Sequence, residues 1–272
     1  MSTGPYRRGV APAVLMAILV TGTEWRACLA QEPLGRAVDL THAFGDSTIY
    51  WPTADPFELD IVAHGRTEGG WWYAANSFRA AEHGGTHLDA PIHFAEGKRT
   101  AAEIPLDDLI GPAVVIDVTE AAADPDLLID VAALEAWEGR NGRIPERSIV
   151  LLRTGWSERW PDAERYLGTA RRGADAVAAL HFPGLDPAAA AWLVAERAVR
   201  AVGIDTASID RGQATDFRAH QVLAEAQVPI FENVAALERV PPTGAWVVAL
   251  PMKIARGTGG PLRIVAFVPG GP

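Results

Sequence analysis

Residues Glu82 to Phe94 read EHGGTHLDAPIHF and bring three of the seven histidines together with one aspartate. Two glycines within His83-Gly84-Gly85-Thr86-His87 disfavour a helix, so the spacing predicts a glycine loop feeding a short strand. Within a strand, residues two apart share a face. His87 and Asp89 then point the same way, and the loop can fold His83 back beside them. Neutral imidazoles with one carboxylate suit zinc, manganese or ferrous iron. Pro91 ends any ladder and fixes the backbone ahead of His93, which has the parity of Asp89 but lies further along. That puts His93 near an ion without an evident place among its ligands. A lone histidine is more often a satisfied polar side chain, and a hydrogen-bonded structural cluster is the competing reading. Convergence of four such groups on one glycine turn favours the metal.

At these positions the chain resembles a known family. His83, Gly85, Thr86, His87, Asp89, Pro91 and His93 stand where the metal-dependent cyclase-like hydrolases carry the signature HxGTHxDxPxH. Bacterial kynurenine formamidases and isatin hydrolases belong to that family. The resemblance implies a divalent metal, zinc or manganese, bound by His83, His87 and Asp89, with His93 as the catalytic acid/base. It runs from about Ala37 to Val268, through Asp39-Leu40-Thr41-His42, Trp51-Pro52 and Arg153-Thr154-Gly155-Trp156. Downstream, His220 and Glu232 stand at the spacing of a helix histidine and a glutamate of the formamidase metal centre. They either complete a second metal site bridged through Asp89, or hold the water and tune the first ion. The resemblance further implies a swivelling β/β/α fold, a mixed β core with flanking helices, and homo-oligomers.

Working outward, FELDIVAH and WWYAANSFRAAEH flank the turn GRTEGG and predict a hairpin that delivers the chain to His83. Trp51, Trp71, Trp72 and Phe78 are candidate walls of an apolar substrate pocket, with ordinary sheet packing as the alternative. Pro112 to Val118 and the run SIVLLRTGW read as strands buried on both faces. Helices are expected over Asp130 to Trp137, over Pro187 to Glu196, and around His220, the last leading into a short strand that presents Glu232. Asp205 and Asp210 follow a strand, where carboxylates can reach an active site, although turn residues are the preferred reading. No repeat or linker divides residues 37–268, so one α/β domain is expected.

A formal charge of −10 and no basic run argue against a nucleic-acid partner. The single cysteine, Cys28, excludes an internal disulfide framework and a cysteine-ligated metal. Residues 1–30 place Arg7 and Arg8 before an apolar run, Val10 to Val20, and end Ala27-Cys28-Leu29-Ala30. That order predicts a signal peptide and a periplasmic or secreted protein; an over-long start would leave it cytoplasmic. The run is shorter than the roughly 20 residues of a membrane span, so no stable membrane anchor is expected. The expected substrate is a small, aromatic amide. An aryl formamide of the N-formylkynurenine type ranks first and a cyclic amide such as isatin second. A non-catalytic metal- or small-molecule-binding protein is the different class, and the intact His93 counts against it.

Overall fold

The computed structural model describes Met1 and residues 35–270, and residues 35–270 belong to one compact unit. Apart from Met1, the expected signal peptide, residues 1–30, lies outside the described residues. In chain order the strands are β1 Arg36–Asp39, β2 Glu58–Arg66, β3 Trp72–Arg79, β4 His87–Asp89, β5 Ile110–Asp117 and β6 Leu128–Ile129. They continue with β7 Ile149–Arg153, β8 Gly184–Leu185, β9 Ala201–Ile204, β10 Ile230–Glu232, β11 Ala245–Pro251 and β12 Gly259–Val268.

Eight of these form one mixed sheet in the order β1-β12-β11-β5-β7-β9-β10-β4, and β4 pairs again with β12. Because Gly259 to Pro261 at the start of β12 pair with β4, the sheet closes on itself through seven strands, with β1 alongside β12. The centre, β5-β7-β9-β10, is parallel, as expected where continuous apolar runs are buried on both sides. Closure falls on β4, the strand that carries His87 and Asp89.

Side-chain alternation sorts the sheet into two cores. Ala113, Val115, Ile149, Leu151, Phe231 and Leu88 face the interior of the ring with Val247 and Ile264. Val114, Ile116, Val150, Leu152, Val202, Ile204 and Ile230 face outward, beneath the helices Val131–Asn141, Pro187–Arg197 and Arg218–Glu225. Leu88 is interior, so His87 and Asp89 on either side of it must face outward. Phe231 is interior too, which turns Glu232 to the same outer side as its register partner His87. Parity and register alone thus bring these three side chains together.

The carboxyl ends of β7 and β9 are tied by Asp205, which accepts from Thr154 N (2.8 Å), Thr154 Oγ1 (2.6 Å) and Gly155 N (2.8 Å). Burial nevertheless pushes the Asp205 carboxyl up from 3.8 to about 6, against the opposing pull of those hydrogen bonds. A folded pKa above the unfolded one means that the stabilisation is complete below about 4 and is lost as pH rises through about 6. At about 1.36 kcal/mol per unit, the change is about 3 kcal/mol. In denaturant titrations from pH 4 to 7, wild type is expected to lose that much relative to Asp205→Asn. Parallel pH profiles for the two proteins would contradict the assignment.

Candidate functional site

The glycines of the motif are required by two close approaches. Gly85 has φ +58°, and a Cβ there would lie 2.7 Å from the Phe44 ring; a Cβ on Gly84 would lie 2.0 Å from the Tyr50 ring. The loop is pinned through Thr86, whose hydroxyl donates to the Asn233 carbonyl (2.7 Å) and accepts from His42 N (2.9 Å). His83 is thereby folded back over the strand: its Nδ1 lies 2.6 Å from Asp89 Oδ1, and the His87 Nε2 lies 3.1 Å from the same oxygen. The helix Arg218–Glu225 brings His220 Nε2 to 3.1 Å from both Asp89 Oδ2 and Glu232 Oε1. Asp89 therefore faces all three imidazoles. His87, Asp89, His220 and Glu232 are each at least 95% buried.

The other ring nitrogen of every imidazole is already committed. Thr258 Oγ1 donates to Glu82 Oε2 (2.6 Å), so it meets His83 Nε2 at 2.8 Å as an acceptor. His87 Nδ1 donates to the Gly85 carbonyl at 2.9 Å, and His220 Nδ1 donates to Asp210 Oδ2 at 2.6 Å. These partners set the tautomers. What remains at the centre is three imidazole lone pairs and two carboxylates, all acceptors. Such a convergence calls for positive charge between the groups, met by protons on the imidazoles or by a divalent ion in their place. Two trios, His83-His87-Asp89 and Asp89-His220-Glu232, each bring one ligand atom per residue within 4.8 Å of the others. The residues present fit a divalent metal.

The protonation equilibria express the same demand. Burial would raise the Asp89 carboxyl, but the His83 and His87 charges and the His220 and His83 hydrogen bonds hold it well below the usual carboxylate range. Burial would lower His220, yet its hydrogen bonds to Asp210, Asp89 and Glu232 hold it well above its ordinary value. Glu232 is pushed up by burial and by the Asp89 charge. His93 behaves differently. Its ring stacks on His83 (centroids 3.8 Å, 16°), and burial pushes it down to about 4, the Asp89 charge opposing and the neighbouring imidazoles adding to the fall. At neutral pH it is an uncharged base at the edge of the cluster.

Above the cluster lies a cavity of about 300 Å³, walled by Tyr50, Trp51, Phe94 and Phe217 with Ile49, Ala54 and Ala81, and floored by the histidines. Its apolar wall and convergent polar floor are those of a small-molecule site. The family model described as "Putative cyclase" matches residues 38–211, well over half of the chain. The chain belongs to the cyclase-like family of metal-dependent hydrolases. An isatin hydrolase of Roseibium aggregatum is 35% identical over 209 residues, 74% of this chain and 77% of that protein. A kynurenine formamidase of Salinibacter ruber is 28% identical over 84% of this chain and 95% of its own length. Among solved structures, isatin hydrolase A from Labrenzia aggregata, bound to benzyl benzoate, superposes with a TM-score of 0.80 at 33% identity. That match covers 91% of this chain and 99% of the other.

Within this cyclase-like chain, His83, His87, Asp89 and His93 lie together, and His220 and Glu232 join them through Asp89. Trp51 lines the cavity, whereas Trp71, Trp72 and Phe78 do not and are more than half exposed. The reason is topological. The hairpin that carries Trp72 and Phe78, with Trp71 just before its second strand, pairs only with itself among the described residues, and Phe78 stacks on Phe57 outside the cavity. Phe94 and Phe217 take the places expected of those rings.

For Asp210 the structure favours the reading ranked second in the sequence, a strand-end carboxylate that reaches the site, over a turn residue. Its carboxylate accepts from the backbone N–H of Ala219 (2.9 Å) and His220 (3.1 Å), capping the helix, and holds His220 Nδ1. An aspartate ten residues before a candidate helix ligand was the available signal. Asp210→Asn is expected to weaken divalent-metal affinity by about 10–100-fold, the usual effect of losing an outer partner of a ligating histidine. Competitive chelator titration reads this directly, and unchanged affinity would remove Asp210 from the site.

Proposed function

We propose that this protein is a metal-dependent amidohydrolase that opens a small cyclic aromatic amide of the isatin type. The residues that would hold the ion, zinc or manganese, are His83, His87 and Asp89, with His220 and Glu232 completing the set. When bound, it supplies Lewis acidity toward the amide carbonyl and lowers the pKa of a water from about 15.7 to about 7. His93, neutral and beside the cluster, accepts the proton of the attacking water and returns it to the departing nitrogen. An amide nitrogen leaves only once protonated, so one base in both steps meets the need of C–N cleavage. Phe94, Phe217, Tyr50 and Trp51 hold the aromatic ring and exclude bulk water.

The observation that carries the cyclic substrate is the lining of the cavity. Besides the cluster its polar side chains are Ser208, Asn233 and Tyr50, and its described walls hold no lysine or arginine. An N-formylkynurenine carries an amino-acid carboxylate that needs a cationic partner; isatin has no charge to satisfy. Sequence reading ranked these two in the opposite order. The formamide remains the second reading, favoured by the kynurenine formamidase similarity over 95% of that relative's length. Purified protein loaded with zinc or manganese, assayed with both substrates at equal concentration, is expected to turn over isatin with the higher kcat/KM. Preference for the formamide would support the second reading, and inertness toward both would refute the amide class.

A further inference from the structure

Asn233 follows the candidate ligand Glu232 directly, and the chemistry proposed above gives it no part. It is 2% exposed and sits at φ +53°, in the left-handed region that asparagine enters more readily than most side chains with a Cβ. A turn would account for that backbone alone. The side chain, however, makes two hydrogen bonds that a turn does not need. Asn233 Nδ2 donates to the Gly85 carbonyl at 2.7 Å, and the Tyr166 hydroxyl donates to Asn233 Oδ1 at 2.9 Å.

The direction of the amide is fixed by what surrounds it. The Gly85 carbonyl can only accept, so the amide nitrogen must be the atom that faces it. Its oxygen then faces Tyr166, whose hydroxyl proton is shared with the Asp205 carbonyl at 3.0 Å. Burial, with the Asp205 and Glu232 charges, pushes the Tyr166 phenol well above its ordinary value, so it is a donor at neutral pH. A carbonyl oxygen has two lone pairs, and both on Gly85 are taken: one by Asn233 Nδ2, the other by His87 Nδ1 at 2.9 Å. The Asn233 backbone grips the same loop. Its carbonyl accepts from Thr86 Oγ1 at 2.7 Å, while its N–H donates to the Thr206 carbonyl at 2.9 Å. One asparagine, braced by Tyr166, thus holds both residues that lead into His87.

We propose that Tyr166 and Asn233 form a neutral clamp that positions His87, keeping its Nδ1–H on the Gly85 carbonyl and so directing its Nε2 to the candidate metal centre. The inference rests on the metal-binding reading above. His220 is oriented by a carboxylate, Asp210. Beside His87 that solution would add charge where two carboxylates already stand, since its Nε2 lies 3.1 Å from Asp89 and 3.5 Å from Glu232. An amide acting through a carbonyl orients the ring and adds none. Without the amide, the Gly85 carbonyl is held by His87 alone and the two can turn together. An asparagine that served only the turn could instead be replaced by glycine, which adopts a positive φ freely.

Asn233→Gly separates the two roles, because glycine keeps the backbone and removes only the amide. Full-length wild type, Asn233→Gly, Tyr166→Phe and the double variant are titrated with zinc against a chelator and, loaded with cobalt(II), read by visible absorption, all without substrate. Asn233→Gly is expected to bind zinc about 10–100-fold more weakly and to shift the cobalt bands. Tyr166→Phe is expected to change both in the same direction by less. Since Tyr166 acts through Asn233, the double variant should be no weaker than Asn233→Gly. Wild-type affinity and bands in Asn233→Gly would overturn the clamp and leave Asn233 a turn residue. Losses that multiply in the double variant would overturn it too, by showing that the two residues act apart. Should Asn233→Gly lose its near-ultraviolet circular dichroism, Tyr166→Phe decides: a weaker site with shifted bands supports the clamp, and wild-type behaviour overturns it. A wild type that takes up no zinc would refute the metal-binding reading itself, an outcome distinct from variants that match a zinc-binding wild type.

Discussion

A His93→Ala protein is expected to bind its divalent ion with wild-type stoichiometry and affinity while losing about 10²–10⁴-fold in kcat, the range for removal of a positioned acid/base. The expectation follows from where the ring lies. His93 stacks on His83 at 3.8 Å and belongs to neither of the two trios whose atoms converge. Its loss leaves every convergent acceptor in place and removes only the neutral base. Elemental analysis and single-turnover kinetics on one preparation separate the two properties. A small, diffusible imidazole is expected to restore part of the rate to the alanine protein, since the vacated space opens into the cavity. Near-normal turnover, or loss of the metal, would remove His93 from the acid/base role.

Asp89→Asn is expected to abolish both metal retention and turnover, with a greater loss of affinity than the 10–100-fold typical of outer partners. Among the described residues Asp89 is the one side chain that meets His83, His87 and His220 at once, at 2.6, 3.1 and 3.1 Å. An amide in its place removes the negative charge and directs N–H donors at nitrogens that must keep their lone pairs. The fold should survive, because the neighbours of Asp89 in the sheet pair through the backbone, Ile230 on one side and Gly259 on the other. Metal-dependent elevation of the melting temperature, expected in wild type, should vanish in the variant. A variant that still binds one ion tightly would show that the His83-His87 pair and the His220-Glu232 pair act separately.

The ligand stretch was legible because its logic is local. Two glycines, a two-residue strand period and a proline are sequence-adjacent signals of a loop and a short strand that sets His87 and Asp89 on one face, although Asn233, His42 and Thr258 then pin the loop and His83 in place. The parallel strands β5 and β7 were equally legible, since a side chain buried on both faces leaves an uninterrupted apolar run. The pocket walls were not. Trp71, Trp72 and Phe78 have the composition of a cavity lining, and whether a ribbon folds over the site or away from it depends on pairing that no nearby residue encodes. Asp210 was ranked as a turn residue for a related reason: an aspartate in a turn and an aspartate that holds a histidine have the same local sequence, and only the placement of helix Arg218–Glu225 beside Asp210 distinguishes them.

By itself, then, the sequence determined the chemistry of the donor set, the mixed α/β class and the short strand that presents His87 and Asp89, because these follow from side-chain identity and short-range periodicity. Tertiary structure decided the rest. Closure of the sheet through β4 and β12 buries Asp89 between two sets of candidate ligands separated by more than 100 residues, and the cavity is walled by Phe94 and Phe217 while Trp72 and Phe78 of the β2-β3 hairpin stay exposed. Both outcomes depend on long-range strand register and on which apolar faces find a partner, quantities set by the whole chain's packing and carried by no single segment.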